Sequence, residues 1–317
     1  MRAAQPHPER ASTFFPGVQE DLWCVPASGE VPLVYIFPEA LSATLAALDQ
    51  GPSFSYGPLI AALKQRSLQQ MKPFLNKIRM PEKLEGKLTG YYSPLLQGSL
   101  LPTTDYFYPF FGLLPDVWHQ KTRADIEAAV ETLSSHALCW GRDIVDAFFF
   151  DVQGSGMISI DGKKRWLQYA GRNEHPYKSV GLFLQKTFGE KADFSTAEKM
   201  KAFLKREPHV SELLHQNPSK IFYRWADQQG AITTAGVCAA SFTTIAVDPA
   251  YIPLGSLVAA SFVAPSGELI CLLTVAVDTG SAIQGEHRVD LYTGVGEEAG
   301  RFAGCLNQPC QIQRISI

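Results

Sequence analysis

The chain has 317 residues, 46% hydrophobic and 19% charged, with a net charge of −3. That length exceeds what one core usually serves, so two domains are expected, and the charge balance gives no case for nucleic acid. There is no run of roughly eighteen apolar residues to span a membrane as a helix. The opening "MRAAQPHPERASTFFPG" has no apolar export core and no cysteine placed for lipidation, so the protein either works inside the cell or starts here after an export segment. Six dispersed cysteines without a CxxC (Cys24, Cys139, Cys238, Cys271, Cys305, Cys310) argue against a disulfide scaffold or zinc and for buried thiols. Cys305 and Cys310 in "CLNQPC" are near enough to pair if the compartment is oxidising.

In chain order, "EALSATLAALDQG" and "GPLIAALKQRSLQQMKPFLNKI" place apolar residues at three- and four-residue intervals, which predicts helices whose stripes are core faces. From about Leu88 the text turns aromatic and Pro/Gly-bounded: "LTGYYSPLLQGS" and "DYFYPFFGLLP" are of strand type. "TRADIEAAVETL" is a short amphipathic helix with Thr122 as N-cap. "DAFFFDVQGSGMISIDGKKRWLQYAG" reads as strand, turn, strand, with "DGK" marking a hairpin. "SVGLFLQKTF" and "AEKMKAFLKREP" again have helical spacing. The last ninety or so residues are mostly β, as in a small barrel, with "GEEAGRFAGC" as their one clear helix.

The conspicuous motif is "TVAVDTGSAIQG", in which Asp278-Thr279-Gly280 resembles an aspartic-protease turn. Such a protease needs two carboxylates sharing a proton, hence two D-[TS]-G elements per bilobed chain, and only one is present. "GSG" around Ser155 lacks the G-x-S-x-G elbow, nothing pairs His175 with a nucleophile, and the seven histidines show no metal spacing. What remains is carboxylate chemistry. Asp248, Asp278 and Asp290 each close an apolar strand within about forty residues; such residues usually make Asx-turns, yet three together at a barrel mouth mark a site.

The triple "AVDPAYIPLGS", "VAVDTGSAIQG" and "RVDLYTGVGEEAGRFAG" resembles the three-aspartate (3D) domain of the membrane-bound lytic murein transglycosylase A family. Colinear blocks such as "LTGYYSPLLQGS", "VDAFFFDVQGSGMISIDGKKRWLQYAGRNEHPYKS" and "NPSKIFYRW" extend the resemblance over roughly residues 84–304. It implies a mainly β fold with helices: a double-ψ β-barrel from residues 1–101 and 223–317 with a helical N-terminal segment, an inserted β-rich domain at 102–222, and a glycan groove between them. It implies cleavage of the β-1,4 bond between N-acetylmuramic acid and N-acetylglucosamine of peptidoglycan, with formation of a 1,6-anhydromuramyl end. Asp290 matches the family's acid/base, Asp278 a supporting carboxylate and Asp248 a structural turn. Thr89, Tyr91, Tyr92, Gln153, Gly154, Ser155 and Arg288 fall at glycan-facing positions, Arg288 to hold a peptidoglycan carboxylate or to form an ion pair. Asp278 is the expected cause of the raised pKa that Asp290 needs as an acid.

No cofactor or metal is implied; the partner is the glycan strand, the chain is expected to be a monomer, and the family location is periplasmic at the outer membrane, with a lipid anchor as an option. Departures from the family pattern fall at Ser281, Gln284, Ser93 and Glu174. Two rival readings are a non-catalytic glycan-binding barrel and a hydrolase using Asp278 and Asp290.

Overall fold

A computed structural model describes residues 15, 21–26, 33–48, 56–79, 81–226, 230–263 and 267–316. The chain forms two compact units: residues 1–91, 232–294 and 305–317, and residues 92–231 with 295–304. In chain order the elements are β1 (Trp23–Pro26), β2 (Leu33–Ile36), α1 (Pro38–Leu48), α2 (Gly57–Lys64), α3 (Leu68–Leu75), β3 (Gly86–Ser93), β4 (Leu95–Ser99), β5 (Tyr108–Phe111), α4 (Arg123–Ala128), β6 (Ala137–Gly141), α5 (Ile144–Gln153), β7 (Gly156–Ile160) and β8 (Lys163–Arg172). They continue with α6 (Val180–Phe188), α7 (Ala197–Leu204), α8 (Val210–Leu214), β9 (Ile221–Ala226), β10 (Thr244–Ala246), β11 (Leu257–Val263), β12 (Leu269–Asp278), β13 (Arg288–Val295), α9 (Gly296–Cys305) and β14 (Asn307–Ile315).

In the first unit, β12-β10-β13-β3-β14-β11 run side by side and β11 returns to β12, closing a barrel of six strands. Closure leaves these strands no open edge. The β1–β2 hairpin joins through a parallel pairing of β2 to Cys271 and Leu272 of β12. β11 and β12 are buried along both faces, which explains their near-continuous apolar text. One face packs inside the barrel; the other, with Leu257, Ala259, Leu273, Val275 and Val277, meets Leu41, Leu45, Leu59, Leu63, Met71 and Leu75 of α1, α2 and α3. The helical stripes read in the sequence are therefore core faces. The text read as one helical stretch, 57–78, is divided at Arg66, whose φ of 47° breaks the helix; Ser67 then caps α3 through Gln70 N.

The second unit holds the sheet β5-β6-β4-β7-β8-β9. An isolated bridge from Gly112 to Tyr223 brings β5 toward β9 and nearly closes it. The Asp161-Gly162 turn, with φ of 50° and 76°, joins β7 to β8 as the "DGK" text predicts. Thr122 caps α4 in a reciprocal capping box with Asp125.

The expected strand over "DAFFFDVQ" is instead helix α5. Asp143 caps it through Asp146 N, and Gly154 ends it at φ 79°. The misreading has a physical cause. Ala147 and Phe150 pack into the sheet core, while Val145 and Phe148 pack on Val180, Leu184, Leu204 and Leu214 of α6, α7 and α8. A helix buried on opposite sides loses its polar stripe, and its sequence then resembles a buried strand.

The compact units also divide earlier and later than the expected 101/102 and 222/223. β4 pairs with β6 and β7, and β9 pairs with β8, so both belong with the second sheet, as does residue range 295–304. Cys305 and Cys310 are free thiols, the second buried in β14.

Candidate active site

The barrel's short strand β10 organises the carboxylates. Ala246 is in register with Asp278 of β12 on one side and with Asp290 of β13 on the other. A register shift between Ile245 and Ala246 skips Val277 and brings Asp278 level with Ala246. Without that irregularity the apolar Val277 would take the position; irregularities of this kind re-aim a side chain next to a site. Neighbouring strands lie about 4.8 Å apart, so the two aspartates flank one intervening strand.

Asp278 is fully engaged. Its Oδ1 accepts from Thr234 N and Thr234 Oγ1, both at 3.1 Å, and from its neighbour Thr279 N at 3.0 Å. Its Oδ2 accepts from the Tyr91 hydroxyl at 2.8 Å. Burial, then the Asp278 charge, holds that hydroxyl far above its ordinary pKa, so Tyr91 remains a donor. The Tyr91 ring lies 5.2 Å from that of Tyr292.

Asp290 is held differently. Its Oδ1 accepts from Thr89 Oγ1 at 2.5 Å, and Thr89 Oγ1 accepts from Arg288 Nη2 at 2.7 Å. Burial raises the Asp290 pKa, against the pull of the Thr89 hydrogen bond and the Arg288 charge; Asp278 adds to the rise as a smaller influence. The expected cause is thus corrected: desolvation comes first and the neighbouring carboxylate second. Thr89 and Tyr91 sit two apart on β3 and share a face, which is why one strand serves both aspartates.

Asp248 lies in the turn after β10. Its Oδ1 accepts from Ala250 N at 3.1 Å in an Asx-turn, and its Oδ2 accepts from Gly285 N at 2.8 Å. It therefore ties its own turn to the loop that carries "SAIQG". In that loop Ser281 and Gln284 are exposed, and position 281 is not among those with left-handed backbone, so serine fits there without backbone strain.

The remaining expected residues belong to the second unit. Gln153 Oε1 accepts from Tyr92 N at 3.1 Å. Gly154 forms the left-handed end of α5, and Ser155 Oγ accepts from Tyr169 N at 3.1 Å. Tyr92 packs on α9, where a Cβ at Gly300 would come 2.7 Å from its ring.

Two features had no sequence signal. Thr234 lies 44 residues before the aspartate it supports. The second feature is an ionic cluster in the second unit, buried at Arg123, Asp151 and Lys220 and partly exposed at His215. Asp151 accepts from Arg123 at 2.8 Å, Lys220 at 2.7 Å and the Tyr223 hydroxyl at 2.6 Å. Glu127 accepts from Arg123 at 3.1 Å and Tyr108 at 2.5 Å, and pairs with His215 at 2.9 Å.

Fold and site together define a 3D-domain protein with an inserted second barrel. The 3D domain family matches residues 243–316 and the MltA specific insert domain family matches residues 87–224; the insert match includes Thr89 and Tyr91, which the structure assigns to the first unit. The chain belongs to the membrane-bound lytic murein transglycosylase A family. Membrane-bound lytic murein transglycosylase A of Escherichia coli strain K12 is 34% identical over 234 residues, 70% of this chain and 63% of that protein. The Vibrio cholerae protein of the same name is 30% identical over 226 residues, 68% of this chain and 61% of that protein. The chain thus spans less than two thirds of each relative's own length.

Among solved structures, E. coli MltA with bound chitohexaose has a TM-score of 0.77 at 24% identity, covering 93% of each chain, a likeness of fold. MltA from Neisseria gonorrhoeae has a TM-score of 0.71 at 26% identity, covering 88% of this chain and 87% of that one. The lytic transglycosylase LtgG of Burkholderia pseudomallei scores 0.62 at 28% identity, covering 93% and 94%.

Proposed function

We propose that this chain is a peptidoglycan lytic transglycosylase. It cleaves the β-1,4 bond between N-acetylmuramic acid and N-acetylglucosamine, with Asp290 as the single acid/base. Asp290 protonates the departing glycosidic oxygen as the bond to the muramyl C1 breaks. The C6 hydroxyl of the same sugar adds to C1 and gives its proton back to Asp290, closing the 1,6-anhydro ring with no water consumed. An intramolecular nucleophile already has a high effective concentration, so one carboxyl group suffices for both transfers.

The observation that carries this reading is the contrast between the two carboxyl groups. Asp290 is shifted toward its protonated form by burial, as an acid near neutral pH must be. Asp278 has both oxygens occupied by four donated hydrogen bonds. A carboxylate so engaged is held in one orientation beside Asp290, where it can face the oxocarbenium-like transition state. It is poorly placed to deprotonate a water, which counts against the hydrolase reading. The chitohexaose bound by E. coli MltA and the names of the relatives support a β-1,4-linked amino-sugar strand as the partner. The same names, membrane-bound and acting on murein, support a place in the periplasmic envelope; the outer membrane is the location that the family resemblance implies. Among the described residues no helix is long and apolar enough to cross a membrane.

The test is digestion of purified sacculi by wild type and by Asp290→Asn, with mass analysis of the products. The expected wild-type products are anhydromuramyl fragments, and the variant is inactive. Products heavier by one water would favour the hydrolase, and absence of any wild-type product would favour the glycan binder.

A further inference from the structure

We infer that Arg288 is a positioning residue for Asp290, acting through Thr89 to keep the proton of the acid on Oδ2. The inference rests on the proposed role of Asp290 and departs from the sequence expectation that Arg288 holds a carboxylate of the substrate. A guanidinium only donates, whereas a threonine hydroxyl has one proton to give and lone pairs to accept with. Arg288 Nη2, 2.7 Å from Thr89 Oγ1, fills a lone pair of that hydroxyl. Of the proton and the second lone pair that remain, the adjacent guanidinium charge favours turning the proton away from itself and onto Asp290 Oδ1, 2.5 Å away. Oδ1 is therefore an acceptor in both ionisation states, and the transferable proton sits on Oδ2.

Without Arg288, Thr89 becomes free to accept from a proton on Oδ1 as well. That second arrangement points the proton back into strand β3, where no leaving group can reach it. The remaining contacts of Arg288 fit this role: Nη1 donates to Val289 O at 2.6 Å and to Lys87 O at 3.4 Å. The guanidinium is thus braced across β13 and β3, with three of its contacts made inside the protein.

The side chain also acts through charge. The titratable or charged groups bearing on Asp290 are Asp278 from β12, Tyr91 from β3 and Arg288 from its own strand; β10 presents only Ala246. Arg288 is the one cation among them. Its removal takes away one of the two influences that favour the ionised carboxylate, the Thr89 hydrogen bond being the other, so the Asp290 pKa rises. Since the acid form is the one that starts the reaction, the basic limb of the pH–rate profile moves to higher pH.

The experiment compares wild type, Arg288→Ala, Arg288→Lys and Thr89→Val on sacculi across pH, with the Asp290 carboxyl titration followed by NMR in the same proteins. Arg288→Ala is expected to lower kcat by about 10- to 100-fold through misdirection of the proton, with KM within about twofold, since binding common to ground and transition states is untouched. Its basic limb and its NMR titration both move up, and Arg288→Lys restores part of each shift. Arg288→Ala combined with Thr89→Val adds less than the sum of the two, as expected for one relay. If Arg288→Ala does not fold, Arg288→Lys with Thr89→Val carries the same comparison. A raised KM with an unmoved limb and titration overturns the inference and returns Arg288 to the substrate. Failure of the proposed function looks different: wild type yields no anhydromuramyl product, while the NMR titration still reports on the relay.

Discussion

At the scale of single residues, the surroundings of Asp290 set a pH dependence in which both burial and Asp278 take part. Burial gives Asp290 a higher pKa in the folded chain than its ordinary value near 3.8. The native state therefore binds more protons than the unfolded state as pH climbs from about 3.8 through the raised value, and stability falls across that window. Above it the buried charge is a standing burden, of the kind often carried at catalytic sites. Asp290→Asn is expected to raise the melting temperature at neutral pH, with the gain vanishing near pH 3; an equal or lower melting temperature at pH 7 would count against burial as the cause. Asp278 acts on its neighbour in the same direction as burial, through its charge. Asp278→Asn removes the charge that adds to the Asp290 rise, so the basic limb of activity is expected at lower pH than in wild type. An unmoved limb would mean that the two carboxyl groups do not sense each other.

At the scale of elements, α5 and the hairpin after it show both what sequence made legible and what it hid. The hairpin turn at "DGK" was legible, but the end of α5 was not read: Gly154 takes the left-handed conformation, φ 79°, with its N–H turned back to Phe150 O and Asp151 O. Open space surrounds a Cβ built there, so the penalty of Gly154→Ala is backbone strain alone, about 1–2 kcal/mol. Gly57 at the start of α2 has equally open space and no positive φ. Gly57→Ala is therefore expected to be neutral or stabilising by up to about 1 kcal/mol. Opposite signs in chemical denaturation would confirm the distinction; a destabilised Gly57→Ala would not fit it. The type of element was illegible for "DAFFFDVQ" because tertiary packing on two sides erased the helical period. Of the three aspartates expected to close strands, Asp278 does end β12, Asp248 lies in the turn two residues past β10, and Asp290 is instead the third residue of β13; the register shift that levels Asp278 with Asp290 depends on strand pairing and leaves no local trace. The same holds for Thr234, and for Arg288, whose partner Thr89 lies 199 residues away.

At the scale of the whole molecule, the two units are held by different physics. The barrel unit is an apolar core closed on itself, with helices covering one outer face. The second unit buries Arg123, Lys220 and Asp151 almost completely around a balanced set of charges. Burial alone would raise the Glu127 pKa, yet His215, Arg123, Lys220 and Tyr108 together hold it down to about 2. The stability it contributes is present above its ordinary value and is lost as pH falls toward about 2. Desolvation offsets much of what such a cluster gains, so its presence is weak evidence of extra stability, but removing one member leaves a charge without a partner. Asp151→Ala leaves Lys220 without its carboxylate, leaves Arg123 to Glu127 alone and empties the acceptor of Tyr223, and is expected to destabilise by about 3–5 kcal/mol. Lys220→Met replaces an ammonium by an apolar chain of similar length and leaves Asp151 with Arg123 and Tyr223, so a smaller loss is expected. The order of the two denaturation midpoints checks the assignment. A Lys220→Met protein less stable than Asp151→Ala would show that Lys220, rather than Asp151, is the hub on which strands β5, β9 and helices α4 and α5 converge.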